Sequence, residues 1–462
     1  MNAIPEYLYF IGAGGIGMAN LERYFMSKGS AVAGYDLTES DLTRALTAEG
    51  AKIIYEDNPE LIPEPWRDPE HTLVVYTPAV KEDNRILTYF RSGGFEVVKR
   101  AALLGKITRH SKAICVAGSH GKTTVSTMVA HILHGSEVGC NAFLGGIARN
   151  YGSNLLLSQS SPWSVIEADE YARSFHHLSP EIAIVTSTDP DHLDIYGDEE
   201  GYLEGFAHFT SLIRPGGTLI LHTGLKLHPR TAEGVNTVTY SGKGDGDWHA
   251  DRVRFDNGHL YFDIVAPGRV IGDVELGVPV EINIDNAVAA ACASSMAGAT
   301  DDDIRRGLLT FLGAKRRFEI WLRPEDSPAD TLLVDDYAHS PAEVKASIRS
   351  IRRLYPGREL TVIFQPHLYT RTRDFAPEFA EALSEADRVI LPEIYPAREK
   401  PIPGVTSEII YEKLKSPHRE MIQRKDLLNR IKNSNFEILM TLGAANLDVL
   451  LPDIKAILER QQ

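Results

Sequence analysis

The chain of 462 residues is long enough for about three domains of roughly 150 residues each. Lys and Arg total 48 against 63 Asp and Glu, and the net charge of −15 disfavours non-specific binding to nucleic acid or to an anionic membrane. Its three cysteines are too few and too scattered for a disulfide framework or a zinc knuckle. The sequence shows neither a signal-peptide pattern nor a run of about 18 apolar residues. We therefore expect a soluble cytoplasmic protein, a monomer or homodimer, with no nucleic-acid or membrane partner.

Strand and helix patterns alternate over the first hundred residues. An apolar run at 7–11 ends in a glycine-rich turn, a second run ends at Asp36, and a third covers 73–76. This rhythm is typical of an open parallel sheet with helices on its faces. We predict an α/β fold that begins with a Rossmann-like domain over residues 1–107.

The first glycine-rich turn has the pattern G-x-G-x-x-G. Its glycines allow backbone N–H groups to approach a pyrophosphate at a helix N-terminus, and a carboxylate after the second strand can bind a ribose hydroxyl. Taken alone, the pattern indicates NAD or FAD, but it does not identify the nucleotide diphosphate. The candidate residues are Gly12, Gly14, Gly15, Gly17 and Asp36.

A second glycine-rich loop follows a predicted strand at 113–117 and precedes a helical pattern. It lacks the first glycine of the full phosphate-loop spacing, because Val116 stands there. Its N–H groups can still hold phosphates, Lys122 supplies a positive charge, and a threonine hydroxyl can bind Mg²⁺. We predict a P-loop-type ATP-binding domain over 108–314. The candidate ATP-binding loop residues are Gly118, Ser119, His120, Gly121, Lys122, Thr123 and Thr124.

Acidic residues end the next two predicted strands. Glu167, Asp169 and Glu170 follow one, and Asp191 and His192 follow the other. Three carboxylates within four residues are costly to bring together unless a cation neutralises them. Imidazole is a less usual Mg²⁺ ligand than oxygen, so the residues alone leave the role of His192 open. Further on, alternating short strands near 252–278 predict an antiparallel segment with a hairpin turn at 256–258.

A third alternating segment predicts a second Rossmann-like domain over 315–462, with polar or turn residues after each strand. The basic cluster at 315–317 lies at the domain junction, where an arginine could reach phosphates as the domains close. Arg371 and Arg373 follow a strand end, which suits binding of a carboxylate or phosphate.

The two glycine loops conflict if only one nucleotide binds. An NAD(P)-dependent oxidoreductase does not need a Gly-Lys-Thr loop with acidic strand ends, and an ordinary ATPase does not need the first domain. Both loops are explained if the first domain holds a nucleotide diphosphate-linked substrate and the second holds ATP. The oxidoreductase and a non-catalytic nucleotide-sensing module are the alternatives from other functional classes.

Together these motifs resemble those of the Mur ligase family, the ATP-dependent amide-forming enzymes of peptidoglycan synthesis, over essentially the whole chain. Two C-terminal motifs are similar to those of the branch that adds L-alanine. The motifs are those at 12–18, 118–124, 167–170, 191–192, 283–286, 316–318, 335–341, 364–373 and 395–404.

The resemblance implies that ATP converts the carboxylate of UDP-N-acetylmuramate into an acyl phosphate, which the amine of L-alanine then attacks. It implies ATP and Mg²⁺ as cofactors. A sister ligase that reattaches a recycled tripeptide is the close alternative, and it should differ around Arg371 and Arg373.

The resemblance also implies roles for individual residues. The implied catalytic residues are Lys122, His192, Arg317 (or its neighbour Arg316) and His339. The implied metal ligands are Thr123, Glu170 and His192. The implied contacts with adenine, ATP phosphate and ATP ribose are Asn286, Arg317 and Asp336. The implied amino-acid-binding residues are Tyr337, Arg371 and Arg373. The glycines of the first loop and Asp36 would bind the UDP portion.

Overall fold

The computed structural model describes residues 5–256, 258–397 and 399–461, without the side chain of Asp194. It contains three separate sheets of five, ten and six strands, each flanked by helices. This confirms the predicted three-domain α/β fold. The boundaries proposed at residues 107 and 314 stay predictions.

The N-terminal sheet is wholly parallel, in the strand order β3-β2-β1-β4-β5. Its strands are β1 (Tyr7–Ile11), β2 (Ala31–Tyr35), β3 (Lys52–Ile54), β4 (Thr72–Tyr76) and β5 (Glu96–Lys99). Its helices are α1 (Ile16–Ser27), α2 (Asp41–Ala48), α3 (Arg85–Ser92) and α4 (Arg100–His110), with 3₁₀ turns at Pro59–Leu61 and Glu64–Arg67. The chain reverses its direction of winding between β1 and β4, which places a ligand crevice at the carboxyl end of β1.

The middle sheet has a parallel centre and antiparallel strands at both edges. Its strands are β6 (Lys112–Ala117), β7 (Asn141–Ala148), β8 (Ser153–Leu156), β9 (Trp163–Glu167), β10 (Ile182–Val185), β11 (Thr218–His222), β12 (Asn236–Ser241), β13 (Trp248–Asp256), β14 (His259–Ala266) and β15 (Arg269–Glu275). Their order is β15-β14-β13-β12-β11-β10-β6-β9-β7-β8. Strands β13 to β15 form the predicted antiparallel segment; Asn257, in its predicted turn, lies outside the described residues.

The helices of the middle domain cover the parallel centre of its sheet. They are α5 (Lys122–His134), α6 (Leu193–Tyr196), α7 (Glu199–Ser211), α8 (Ile282–Ala297) and α9 (Asp301–Thr310), with a 3₁₀ segment at Tyr171–His177. Residues 286–294 of α8 are all buried, and this alanine-rich run packs closely against α5. Its small side chains allow the close approach that fixes the start of α5.

The C-terminal sheet has the order β16-β17-β21-β18-β19-β20, with only β16 antiparallel. Its strands are β16 (Glu319–Leu322), β17 (Leu332–Asp336), β18 (Leu360–Phe364), β19 (Arg388–Leu391), β20 (His418–Met421) and β21 (Ile438–Leu442). Its helices are α10 (Pro341–Leu354), α11 (Tyr369–Leu383), α12 (Glu408–Tyr411), α13 (Leu427–Lys432) and α14 (Leu451–Leu458), with 3₁₀ turns at Pro324–Asp326, Arg424–Asp426 and Asp448–Leu450.

Among the described residues, no helix has both the length and the apolar character needed to cross a bilayer.

Candidate active site

The second glycine loop connects the end of β6 to the start of α5. Gly118 and Gly121 have φ of 146° and 82°, in the left-handed region that glycine adopts without strain. A Cβ at Gly118 would lie only 2.0 Å from Thr186 Oγ1, so a side chain cannot fit there. Helix α5 begins at Lys122, and its first N–H groups are free to bind an anion in front of the loop.

Ser119 and His120 tie this loop to the end of β10. Ser119 Oγ donates to the carbonyl of Asp189 at 2.5 Å, and the backbone N–H of His120 donates to Ser187 Oγ at 2.7 Å. These bonds hold the loop next to the segment that carries His192.

Lys122 crosses the mouth of the loop and neutralises a buried carboxylate. Its ammonium group donates to the Gly118 carbonyl at 2.6 Å and to Glu170 Oε1 at 2.9 Å. Glu170 is only 2% exposed, and its Oε2 has no hydrogen-bond partner among the residues that the structure describes. One carboxylate oxygen is therefore buried and available to a further ligand.

Thr123 contacts a different carboxylate, that of Glu167. Thr123 Oγ1 donates to Glu167 Oε1 at 3.1 Å, and the N–H of Gly145 donates to Glu167 Oε2 at 2.9 Å. Burial raises the pKa of this carboxyl. The sequence-based pairing of Thr123 with Glu170 omitted Glu167. Glu167 is the last residue of β9 and lies in register with Val116 of β6, so it meets the start of α5 directly.

Asn286 lies beside the loop, and His192 lies three residues after Asp189, whose carbonyl accepts from the loop residue Ser119. His192, immediately before α6, has a left-handed backbone with φ of 51°, and its imidazole packs edge-on against Tyr171 with ring centroids 5.2 Å apart. Asn286 lies in the first turns of α8, and its Oδ1 is 3.0 Å from the position a Cβ would take at Gly121. Asn286, which is predicted to contact the adenine, therefore lies next to the second glycine loop.

The two adjacent arginines at the start of the C-terminal domain have different surroundings. Arg316 is largely buried and donates to the carbonyls of Gly443 and Ala445 at 2.5 and 2.8 Å, with Asp335 Oδ2 3.3 Å away. Arg317 is exposed, has no carboxylate within 4.0 Å among the described residues, and lies over the Tyr337 ring at 5.4 Å. Arg317 is therefore the arginine that is free to meet phosphate.

Asp336 and His339 follow β17. Asp336 accepts hydrogen bonds from the Phe318 N–H and from the Ser347 hydroxyl, so both carboxylate oxygens contact their own domain. The Nδ1 atom of His339 is 3.0 Å from the Tyr337 carbonyl, and burial lowers the pKa of His339. His339 is therefore a neutral imidazole near pH 7.

Only one of the two predicted amino-acid-binding arginines joins this group. Arg371 is half-buried without a carboxylate partner among the described residues. Burial lowers the pKa of His339 and of His367, and the charge of Arg371 lowers both further. Arg373 is instead exposed and paired with Asp374 at 2.7 Å. Its role in amino-acid binding stays a prediction to which the geometry adds no support.

The first glycine loop opens onto a cavity of about 440 Å³ between the N-terminal and middle domains. Gly15 and Gly17 line it on one side, and Gly145, Glu167 and Asp169 line it on the other. Glu167 both lines this cavity and accepts from Thr123 beside the second glycine loop, so it lies between the two predicted nucleotide regions.

Asp36 and Gly12 determine the backbone conformation of the first glycine loop. Asp36 Oδ2 accepts from the Gly14 N–H at 2.7 Å, and Gly12 has φ of 89°. Asp36 therefore braces the glycine loop in addition to its predicted role toward a ribose.

Arg100 is a cavity residue that the sequence analysis missed. It begins α4 and lines the cavity, and its guanidinium packs against Gly17, where a Cβ would lie 3.1 Å from Nη1. It has no carboxylate partner within 4.0 Å among the described residues. Its place directly after the carboxyl end of β5 is the signal that could have identified it.

The fold defines a three-domain α/β protein in which Glu167 connects the cavity beside the first glycine loop to the second glycine loop. The chain belongs to the Mur ligase family. Sequence models of the family match residues 7–112 (Mur ligase family, catalytic domain), 116–294 (Mur ligase middle domain) and 316–437 (Mur ligase, glutamate ligase domain).

Named relatives include two bacterial proteins and one solved structure. The UDP-N-acetylmuramate–L-alanine ligase of Phocaeicola vulgatus is 53% identical over 98% of both chains. The corresponding ligase of Porphyromonas gingivalis W83 is 48% identical over 98% of this chain and 99% of its own. The crystal structure of UDP-N-acetylmuramate-alanine ligase from Thermotoga maritima superposes with a TM-score of 0.76 at 26% identity, covering 98% of each chain.

Proposed function

We propose that this protein joins L-alanine to the carboxylate of UDP-N-acetylmuramate, with conversion of ATP to ADP and phosphate, in the cytoplasm and as a monomer or homodimer. The position of Glu167 carries the proposal, because this residue lines the cavity next to the first glycine loop and also contacts Thr123 at the second glycine loop. The similarity to L-alanine ligases along the whole chain supports L-alanine as the amino acid.

The reaction has two steps. An oxygen of the muramate carboxylate attacks the γ-phosphorus of ATP, the bond to the β-phosphate oxygen breaks, and ADP leaves. The amine of L-alanine then attacks the acyl carbon, the bond to the phosphate oxygen breaks, and the amine loses a proton. Carboxylate and phosphate repel each other, so cationic groups must neutralise the charge along this path.

Lys122 and Arg317 supply such charge from two domains. Lys122 lies at the second glycine loop, and Arg317 has no carboxylate partner in the described part of the chain that would compete with phosphate. Approach of the C-terminal domain would bring Arg317 to the nucleotide and exclude water that hydrolyses an acyl phosphate. Asn286 would face the adenine, and Asp336 would accept from the ribose.

Thr123 and Glu167 have the chemistry to hold Mg²⁺. Both offer hard oxygen ligands beside the phosphate loop, and the unpartnered Oε2 of Glu170 adds a third oxygen close to Lys122. Within residues 5–256, 258–397 and 399–461, no group of three or more His, Cys, Asp or Glu side chains is placed to hold a metal ion, so phosphate oxygens and water would complete the coordination. When bound, Mg²⁺ neutralises phosphate charge. His192 is proposed for a second cation.

His339 can accept the proton that the amine loses. Its Nδ1 atom faces the Tyr337 carbonyl, which leaves Nε2 as the lone-pair nitrogen, and its lowered pKa keeps it neutral. Arg371 lies nearby and has no carboxylate partner within the described ranges, so it can bind the carboxylate of L-alanine.

ADP release with UDP-N-acetylmuramate and a panel of amines tests the proposal. We expect saturable turnover with L-alanine, weaker turnover with glycine or L-serine, and none with the tripeptide. Turnover only with the tripeptide would instead establish the peptide-reattaching ligase. Oxidation or reduction of NAD(P) without ADP release would overturn the ligase assignment.

A further inference from the structure

The segment 170–173, which we call the strap, has an unusual backbone immediately after the buried Glu170. Ala172 and Arg173 both adopt left-handed conformations, with φ of 51° and 56°. Consecutive non-glycine residues are rare in this region because the Cβ crowds the backbone. Such conformations persist where surrounding contacts hold them, and they concentrate at functional sites.

Three contacts join the strap to the turn formed by residues 192–196. The Tyr171 ring meets the His192 imidazole edge-on, at 5.2 Å and 77°. The Arg173 guanidinium lies 5.2 Å from the centre of the Tyr196 ring. The Tyr196 hydroxyl donates to the Glu170 carbonyl at 2.7 Å. The strap therefore contacts both the first residue of the turn, His192, and its last residue, Tyr196.

Neither Tyr171 nor Arg173 is needed to fill the core. Tyr171 is 52% exposed, and Arg173 is exposed with no carboxylate within 4.0 Å among the described residues. What they contact is the turn that presents His192. The segment that leads into this turn contacts the second glycine loop, because the carbonyl of Asp189, three residues before His192, accepts from Ser119 Oγ.

We propose that Tyr171 and Arg173 are positioning residues that hold the His192 imidazole beside the phosphate loop. The inference rests on the proposed function, in which His192 binds a second cation. His192 needs such support because its own backbone is left-handed and its ring is one-third exposed. The His192 imidazole also lies near a charged group, the Asp191 carboxylate, which is 3.7 Å from Nε2.

The kinetic test compares Tyr171→Leu with Tyr171→Phe in ADP release. Loss of the ring should lower kcat by about 10- to 100-fold, since a small misplacement of a reacting group has effects of this size. The KM for UDP-N-acetylmuramate should change less than about threefold, and phenylalanine should restore kcat, because the ring edge makes the contact. A folded Tyr171→Leu enzyme with wild-type kcat would overturn the proposal.

Arg173→Gln and Arg173→Lys provide a second pair at an exposed position where folding is not at risk. Lysine keeps a cation over the Tyr196 ring and should retain more kcat than glutamine. Equal kcat in both variants and the wild type would contradict a role for this contact.

A spectroscopic test needs no turnover. In protein labelled with ¹³C at histidine Cε1, the His192 signal is assigned by its loss in His192→Gln. The ring current of Tyr171 should displace this signal, so Tyr171→Leu should move it and Tyr171→Phe should not. An unmoved signal in Tyr171→Leu would overturn the proposal. If the wild type failed to turn over L-alanine, the proposed function would fail while this test still reported on the strap.

Discussion

The Lys122 ammonium lies 2.9 Å from a carboxylate oxygen of Glu170, a residue that is 2% exposed. A buried carboxylate is costly unless a cation compensates it, so the two side chains depend on each other. Phosphate groups arriving at the loop would share the lysine with Glu170. The pair therefore links the stability of the middle domain to its proposed chemistry.

Replacing Lys122 should separate these two roles. We expect Lys122→Ala to lower kcat for ADP release by at least about 10²- to 10³-fold, since a charge aimed at the transferred phosphate is lost. Its Tm should also fall, because Glu170 is left unpaired. In Lys122→Ala/Glu170→Gln the Tm should recover in part while activity stays lost. Near-normal turnover in Lys122→Ala would contradict the assigned role.

Two glutamates compete for the role of magnesium ligand. Glu167→Gln keeps an acceptor for Thr123 but removes the charge, and we expect the Mg²⁺ concentration for half-maximal ADP release to rise about tenfold or more. Glu170→Gln should shift this concentration less, because Glu170 faces Lys122. If the required Mg²⁺ concentration rose more for Glu170→Gln than for Glu167→Gln, Glu170 would be the magnesium ligand, as the family resemblance implies.

Arg100 should contribute to binding of the UDP-linked substrate. Removing a charge-assisted contact to phosphate costs about 1.5–3 kcal/mol, so Arg100→Ala should raise the KM for UDP-N-acetylmuramate by about 10- to 100-fold and leave the KM for ATP unchanged. Arg109→Ala, in the last turn of the same helix, is the matched control and should behave like the wild type. Unchanged kinetics of Arg100→Ala would remove this residue from the site.

Gly258 marks a contact between the middle and C-terminal domains. It is buried with φ of 82°, and a Cβ there would lie 2.4 Å from the hydroxyl of Tyr355, at the end of α10. Gly258→Ala should lower Tm, because the Tyr355 side chain or the domain that carries it must shift. A change in the radius of gyration, measured by small-angle scattering, would show that the domains separate. Gly268→Ala is the matched control: φ at Gly268 is a similar 78°, and no atom of the described residues lies within 4 Å of the added Cβ, so only backbone strain is introduced. Identical effects of the two substitutions would show that the domain contact is unimportant.

Asp335 should make stability depend on pH. Burial raises its pKa to about 6, so the folded protein holds this proton more tightly than the unfolded chain. The contribution of this proton to the free energy of unfolding is fully present below about pH 4 and is lost as pH rises toward 6. It amounts to roughly 1.4 kcal/mol for each unit by which the pKa is raised. The Tm difference, Asp335→Asn minus wild type, should therefore become more positive between pH 4 and 6. A difference independent of pH would contradict the raised pKa.

The sequence by itself determined the local parts of the site. A glycine loop between a strand and a helix positions its own N–H groups, so Gly118 to Lys122 and Gly12 to Gly17 were recognisable without tertiary information. The alternation of strands and helices likewise predicted three α/β domains, because parallel strands need crossover helices of that length.

Only the tertiary structure decided which side chains meet. Thr123 contacts Glu167 rather than Glu170 because of the register between β6 and β9. Arg316 is enclosed by the turn after β21 while its neighbour Arg317 stays free, although both belong to one motif. Arg100 enters the cleft through domain packing. Such pairings depend on distances across strands and domains, and sequence spacing does not encode them.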